Sequence, residues 1–174
     1  MLDQAVNAAE STGARVEKLV LSHFTVGPCL ERGDCRETGE CSIDDDFKLF
    51  YRKIMAVDRL IIAAPVYFMG FPAQAKALID RCQAFYARKY VLKKRIPDRG
   101  AIKRRGFLLS AAGFESEEAF DCLRKTMKYL CLTIDMEFSG DVVVPGVDAK
   151  GEIEDHPDAL KRSWELGLRA TAPQ

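Results

Sequence analysis

Two short apolar runs, Arg59-Leu60-Ile61-Ile62-Ala63-Ala64-Pro65 and Arg105-Gly106-Phe107-Leu108-Leu109-Ser110-Ala111, constrain this chain more than any other feature. Neither alternates apolar with polar residues, so each reads as a strand buried on both faces of a parallel sheet. Parallel neighbours need crossover connections, and the stretches around the runs have helical spacing. Leu2 to Thr12 sets Leu2, Ala5, Val6, Ala8 and Ala9 at that spacing before Gly13. Asp44-Asp45-Asp46 then leads into Phe47, Leu49, Phe50, Ile54 and Met55, an acidic start that suits the positive end of a helix dipole. Pro72 to Tyr86 predicts a helix with proline in its first turn, and further helices are expected over 116–132 and 156–170. Arg15 to Leu21 and Met136 to Val144 read as additional strands. The expectation is an α/β fold, a doubly wound parallel sheet covered on both faces. With 174 residues against roughly 150 per domain, the chain is read as a single domain, 1–174.

Composition narrows the function classes. Lysine plus arginine total 26 and aspartate plus glutamate total 26, so the net charge is zero and a globally basic nucleic-acid binder is not expected. No apolar run approaches the roughly 20 residues of a membrane span, and Met1-Leu2-Asp3-Gln4-Ala5 shows no secretory pattern. A soluble, cytoplasmic protein is the default. The six cysteines, Cys29, Cys35, Cys41, Cys82, Cys122 and Cys131, are therefore not read as a disulfide framework. The first three share a loop, 23–42, without periodicity, where clustered thiols lean toward metal or redox chemistry. The other three sit in helical stretches, where a thiol usually acts as a small core residue.

In an open parallel sheet, ligands bind beyond the carboxyl ends of the strands. Two junctions stand out there. Pro65-Val66-Tyr67-Phe68-Met69-Gly70 is apolar and aromatic and enters a helix, a composition suited to a flat aromatic ligand whose polar rim bonds backbone N–H groups. Ala112-Gly113-Phe114-Glu115 is a small-residue turn where a backbone can come close to a ligand. The same residues read equally as ordinary crossover turns with exposed aromatics.

Ala64-Pro65-Val66-Tyr67-Phe68, followed by Gln74, Lys76 and Ile79-Asp80-Arg81, resembles the S-P-V-Y-F…K…D-R stretch of flavodoxin-like NADPH-dependent FMN reductases. Within them the chain most resembles the iron–sulfur flavoproteins, whose cysteine loop and Asp-Asp helix start are similar to Pro28-Cys29…Cys35…Gly39-Glu40-Cys41-Ser42-Ile43-Asp44-Asp45. Gly151-Glu152-Ile153…His156-Pro157…Leu166-Gly167 is similar to the last helix of that group. The resemblance implies a flavodoxin-like sheet and a flavin-dependent oxidoreductase passing electrons from NAD(P)H through FMN to a small-molecule or protein acceptor. It implies that Pro65, Val66, Tyr67, Phe68, Met69 and Gly70 hold the isoalloxazine ring, with Ala112, Gly113, Phe114 and Glu115 over its pyrimidine edge. No general acid or base is expected, because the flavin carries the chemistry. The alternatives are an iron–sulfur flavoprotein-type electron carrier and a non-catalytic paralogue acting as subunit or binding module.

Two departures qualify the resemblance. The G-S-x-R…G-N-T type phosphate loop after a first strand has no counterpart, since residue 1 already lies in the helix that this loop would cap. A chain starting there lacks the helix-terminal donors that hold a phosphate. The reading is a reading frame that starts late, or a form that binds flavin weakly or not at all; with the usual first strand missing, another strand closes the gap or oligomerisation protects a long edge. The second departure is in the C-x2-C-x2-C-x5-C pattern, where Cys29, Cys35 and Cys41 take the first, third and fourth positions and Arg32 the second. A [4Fe–4S] cluster is normally held by four thiolates. A labile or three-iron cluster, a non-cysteine fourth ligand with His23 nearest in sequence, zinc, or a loop without metal all stay open. Lys76 and Arg81 are expected on a helix surface or at a subunit contact. The basic residues from Arg88 to Arg105 are read as a solvated loop or an anion-attracting patch, with pairing to the acidic 31–46 region across a homo-oligomer boundary as a further expectation. His156 is read as a helix start, and Trp164 as core or interface.

Overall fold

Strand β2 (Arg105–Ala112) is the middle of a three-stranded parallel sheet, flanked by β1 (Arg59–Ala63) and β3 (Glu137–Pro145) in the order β1-β2-β3. The computed structural model describes residues 1–100 and 102–172. The helices are α1 (Leu2–Ser11), α2 (Cys35–Thr38), α3 (Phe47–Ala56), α4 (Ala73–Arg81), α5 (Gln83–Tyr86), α6 (Asp121–Thr133) and α7 (Pro157–Thr171). Successive strand residues point to opposite faces. Phe107 and Leu109 therefore join Val142 and Val144 against Ala5 of α1 and Leu166 and Ala170 of α7. Leu108 points the other way, into Phe47, Tyr51 and Ile54 of α3 and Leu123, Met127 and Cys131 of α6. Helices thus cover both faces, as the uninterrupted apolar run in β2 requires.

The α1–α7 layer is unusually close. A Cβ on Gly167 would lie 2.3 Å from the Ala5 carbonyl oxygen and 2.8 Å from the Ala8 Cβ, so the two backbones meet only because residue 167 has no side chain. The opposite layer is tied by Arg104, which is buried and sits at the carboxyl ends of two helices. Its guanidinium donates to the carbonyls of Val57 (3.1 Å), Ile134 (2.6 Å) and Ile54, filling acceptors that a helix end leaves unsatisfied.

Several sequence expectations need correction. Residues 15–21 do not form a strand: the segment runs extended into a 3-10 turn at Leu21–His23, and the backbone of 15–19 pairs with nothing among the described residues. Apolar spacing supplies a face, but a strand also needs a neighbouring backbone. Strand β1 is only partly buried, because among the described residues only β2 pairs with it. The helix expected over 72–86 breaks at Cys82 into α4 and α5 and continues as one π-helical turn, Ala87–Val91. The expected 116–132 helix opens with a 3-10 turn at Glu117–Phe120. The basic segment is solvated at Lys93, Lys94, Arg95, Arg99 and Lys103, as expected, but not throughout. Arg104 is buried, Lys89 and Arg95 both pair with Asp135 (3.0 and 2.8 Å), and Arg99 pairs with Asp58 (3.5 Å). Cys122 is exposed, whereas Cys82 and Cys131 are core thiols that burial pushes up to about 12. Trp164 lies on the exposed side of α7, and His156 stands at its start as expected.

Gly167→Ala tests the close helix contact. Alanine favours a helix by about 1 kcal/mol over glycine, yet overpacking costs about 1–3 kcal/mol. Chemical denaturation is expected to show a net loss of stability, and a stabilised variant would contradict the packing described here.

Candidate functional site

At the carboxyl edge of the sheet, three strand-to-helix junctions come together. The segment after β1 is stitched to β2: Ala64 N–H donates to the Leu109 carbonyl (3.1 Å) and Val66 N–H to that of Ala111 (3.3 Å). The segment after β3 is stitched to β2 as well, Val147 N–H donating to Ala112 (2.9 Å) and Gly146 N–H to Phe114 (3.2 Å). The two turns singled out from the sequence are therefore neighbours across β2.

The first turn has an uncommon backbone. Tyr67 and Gly70 exchange both N–H···O bonds at 3.0 Å, closing a two-residue loop with φ of 50° at Phe68 and 59° at Met69. Positive φ at both central positions is the type I′ pattern, normally filled by Asn-Gly, and bulky residues there cost of order 1–3 kcal/mol each. The result is display: Phe68 is fully exposed, with Tyr67 and Met69 exposed beside it. Backbone strain of this kind recurs at ligand-binding and active sites.

Of the ten residues expected to hold a ring, Pro65, Tyr67, Phe68, Met69, Gly113, Phe114 and Glu115 are exposed on this rim, and Gly70 is partly so. Val66 and Ala112 face inward instead, packing with Phe120 and Val143. Gly113 also differs from expectation: a Cβ there would meet the Asp148 side chain at 2.9 Å, so the close approach is made by the chain itself. The N–H groups of Phe68, Met69, Gly113, Phe114 and Glu115 have no partner among the described residues. Five unpaired donors beside exposed aromatic rings suit a flat ligand with a heteroatom-rich edge. Asp148 and Glu152 border the same rim and were not singled out from the sequence. The signal was available, since Pro145-Gly146-Val147-Asp148 is a third strand end. Glu152 accepts from the amides of Asp148 (2.7 Å) and Ala149 (2.8 Å), and those bonds hold its carboxyl below the usual range.

The cysteine loop is a second, separate construction. Cys29, Cys35 and Cys41 line one cavity of about 110 Å³, together with Arg32, Arg36 and Tyr86. Burial, then the nearby Cys41 and Cys29 sulfurs, push the Cys35 thiol up. His23 is not in the cavity wall. Among the described residues, no group of three His, Cys, Asp or Glu side chains is disposed to hold a metal ion. The donor set present therefore does not fit a four-thiolate cluster.

What closes the loop is Arg81. Its side chain is 0% exposed, which overturns the surface role expected for it, while Lys76 does lie at the surface, paired with Asp80. Arg81 donates from Nε to Cys41 Sγ (3.2 Å) and from Nη1 to the Gly27 carbonyl (3.0 Å) and Asp45 Oδ2 (2.7 Å). Nη2 adds Asp45 Oδ1 at 3.1 Å, and the guanidinium lies 4.7 Å from the Phe47 ring centroid. Burial pushes the Asp45 carboxyl up, but the bonds from Arg81, Gly27 and Phe47 outweigh it and leave the group below its ordinary 3.8.

A parallel sheet with helices on both faces and a ligand-ready carboxyl edge defines a flavodoxin-like α/β protein. Residues 1–141 match the family described as NADPH-dependent FMN reductase, and the chain belongs to that family. Iron-sulfur flavoprotein of Methanosarcina thermophila is 36% identical over 96 residues, 55% of this chain and 50% of that protein. An iron-sulfur flavoprotein of Archaeoglobus fulgidus is 38% identical over 81 residues, 47% of this chain and 37% of that protein. The chain thus spans about half the length of the relatives it matches. Among solved structures, the NAD(P)H:quinone oxidoreductase from Methanothermobacter marburgensis superposes with a TM-score of 0.68 at 18% identity, over 99% of this chain and 88% of that one. An FMN-dependent NADH-azoreductase from Bacillus anthracis, in complex with FMN, gives 0.64 at 15% identity, over 98% and 89%. At such identities these structures speak for the fold. No helix among the described residues is long and apolar enough to cross a membrane.

Two outcomes follow from the Arg81–Asp45 pair. Arg81→Met leaves the Asp45 carboxylate, 11% exposed, with only its two backbone amide donors and is expected to cost up to about 3 kcal/mol in denaturant unfolding. Because the folded Asp45 value lies below 3.8, its stabilisation is complete above that pH and is lost as pH falls through the folded value. Stability measured below about pH 4 is therefore expected to fall less steeply in Asp45→Asn than in the wild type, from a lower starting point.

Proposed function

We propose that the chain is an FMN-dependent oxidoreductase in which the exposed rim around Tyr67, Phe68, Met69 and Phe114 receives the flavin ring and an electron donor of the NAD(P)H type reduces it. The observation that carries this reading is the strained Phe68-Met69 turn beside five unpaired amides. Exposed aromatic faces offer stacking area, and N–H groups fixed by the turn offer donors without further ordering. Pro65 and Gly70 close the turn at its two ends, and Val66 anchors it inward through the Ala111 carbonyl. Gly113, Phe114 and Glu115 supply the facing backbone edge. When bound, FMN supplies hydride acceptance and onward electron transfer.

The chain's own residues orient, exclude water and donate hydrogen bonds. Phe68 and Tyr67 shield one side of the ledge, and the fixed amides favour a ring edge that gains negative charge. No side chain on the rim is assigned as general acid or base. The electron acceptor, a small molecule or a protein, docks on the same open edge. Membership of the FMN reductase family and the match to iron-sulfur flavoproteins support the redox class.

Replacing Phe68-Met69 by Asn-Gly separates the two roles of the turn. Asn-Gly relieves the positive-φ strain, so thermal stability is expected to stay level or rise. FMN affinity, followed by quenching of flavin fluorescence, is expected to weaken about tenfold or more, roughly 1.4 kcal/mol. Unchanged affinity would remove the rim from the flavin site.

A further inference from the structure

We propose that Cys35 and Cys41 form a dithiol site oxidised by hydroperoxides, the pair closing reversibly to a disulfide within the cysteine loop. Two closures hold the turn between them. On the outside, Ser42 Oγ donates to Asp34 Oδ2, joining the residues that flank the two cysteines. On the inside, Gly39 N–H donates to the Cys35 carbonyl at 2.8 Å, and a left-handed φ of 79° at Gly39 turns the chain back at the end of α2. Thr38 Oγ1 accepts from Glu40 N–H at 3.1 Å within the same reversal. Residues 35 and 41 therefore lie on the two arms of one short turn, and both thiols line the same cavity. A disulfide needs Cα atoms within about 7 Å, which a turn closed on both sides favours.

The other cysteines are placed differently. Cys82 and Cys131 are buried in the core, Cys122 lies outside the cavity wall, and Cys29 is exposed and precedes the closed turn. Cys41 is the better fixed of the pair, because the fully buried Arg81 donates from Nε to its sulfur at 3.2 Å. Both thiols are partly exposed, and a cavity of about 110 Å³ admits a molecule little larger than water. In the first step the Cys41 sulfur attacks one peroxide oxygen. The S–O bond forms, the O–O bond breaks, and the thiol proton leaves with the departing oxygen as water. Arg32 and Arg36 in the wall offer N–H donors to that oxygen. In the second step the Cys35 sulfur attacks Cys41 sulfenic acid. The S–S bond forms, the S–O bond breaks, and the Cys35 proton leaves with the hydroxyl as water. Both thiols are oxidised and the peroxide is reduced; a dithiol reductant reverses the change by exchange. The site shares no residue with the rim and stands apart from the flavin reading.

The experiment maps the oxidised pair in the full chain. Reduced protein is treated with a small excess of hydrogen peroxide, quenched with catalase, alkylated under denaturing conditions and digested with trypsin. Cleavage after Arg32 and Arg36 puts Cys29, Cys35 and Cys41 on separate peptides. The expected result is the loss of one pair of alkylatable thiols from the six, a linked peptide joining Cys35 to Cys41, and recovery of both thiols with dithiothreitol. In Cys35→Ser the linked peptide is expected to vanish, and Cys41 to be trapped as sulfenic acid by dimedone. Circular dichroism checks that the variant keeps its fold, and the wild-type map tests the site without any substitution. Full retention of the six thiols after peroxide, a linkage through Cys29, or a folded Cys35→Ser chain without an adduct at Cys41 would each overturn the proposal.

Discussion

The placement of β2 between two strands and two helical layers is the constraint on which the remaining structure depends. A strand with neighbours on both edges and helices on both faces has no position for water, so Phe107, Leu108 and Leu109 are all buried. Their alternation commits α1 and α7 to one side and α3 and α6 to the other. With those layers set, the chain can leave the sheet only at the strand ends, and the carboxyl ends gather the three junctions into one rim. The rim is thus a by-product of burial, and its chemistry is decided by the few residues that the core does not need.

The core was legible because burial writes a periodic signal. The runs at 59–65 and 105–111 identify strands, and the spacing in α1, α3 and α7 identifies helices within a residue or two of their observed ends. The rim was legible through composition and the rule that ligands meet strand ends. Arg81 was not. Nothing in a helical pattern distinguishes a surface arginine from one whose five N–H groups are all needed by a loop far away in sequence. The same difficulty hid Arg104, which looked like one of many cations in a basic stretch but satisfies carbonyls of two helix ends. The extended segment at 15–20 failed for the opposite reason: its pattern was correct for a strand, but pairing is a property of the neighbours and not of the segment.

Two kinds of order are built side by side in this chain. The cysteine loop is held by charge-assisted bonds to a buried guanidinium, so its shape is fixed by a group that water does not reach. The rim is held by backbone bonds to β2, and its side chains point outward. The first arrangement resists change, because an altered residue leaves a buried charge without a partner. The second tolerates it, because Phe68 touches no part of the core.

That tolerance has an evolutionary reading. A turn whose conformation is secured by the Tyr67–Gly70 exchange of bonds, and whose central residues contribute nothing to folding, can be rewritten at Phe68 and Met69 with little penalty to the remainder of the domain. The tip can then diversify by single substitutions while the sheet beneath stays the same.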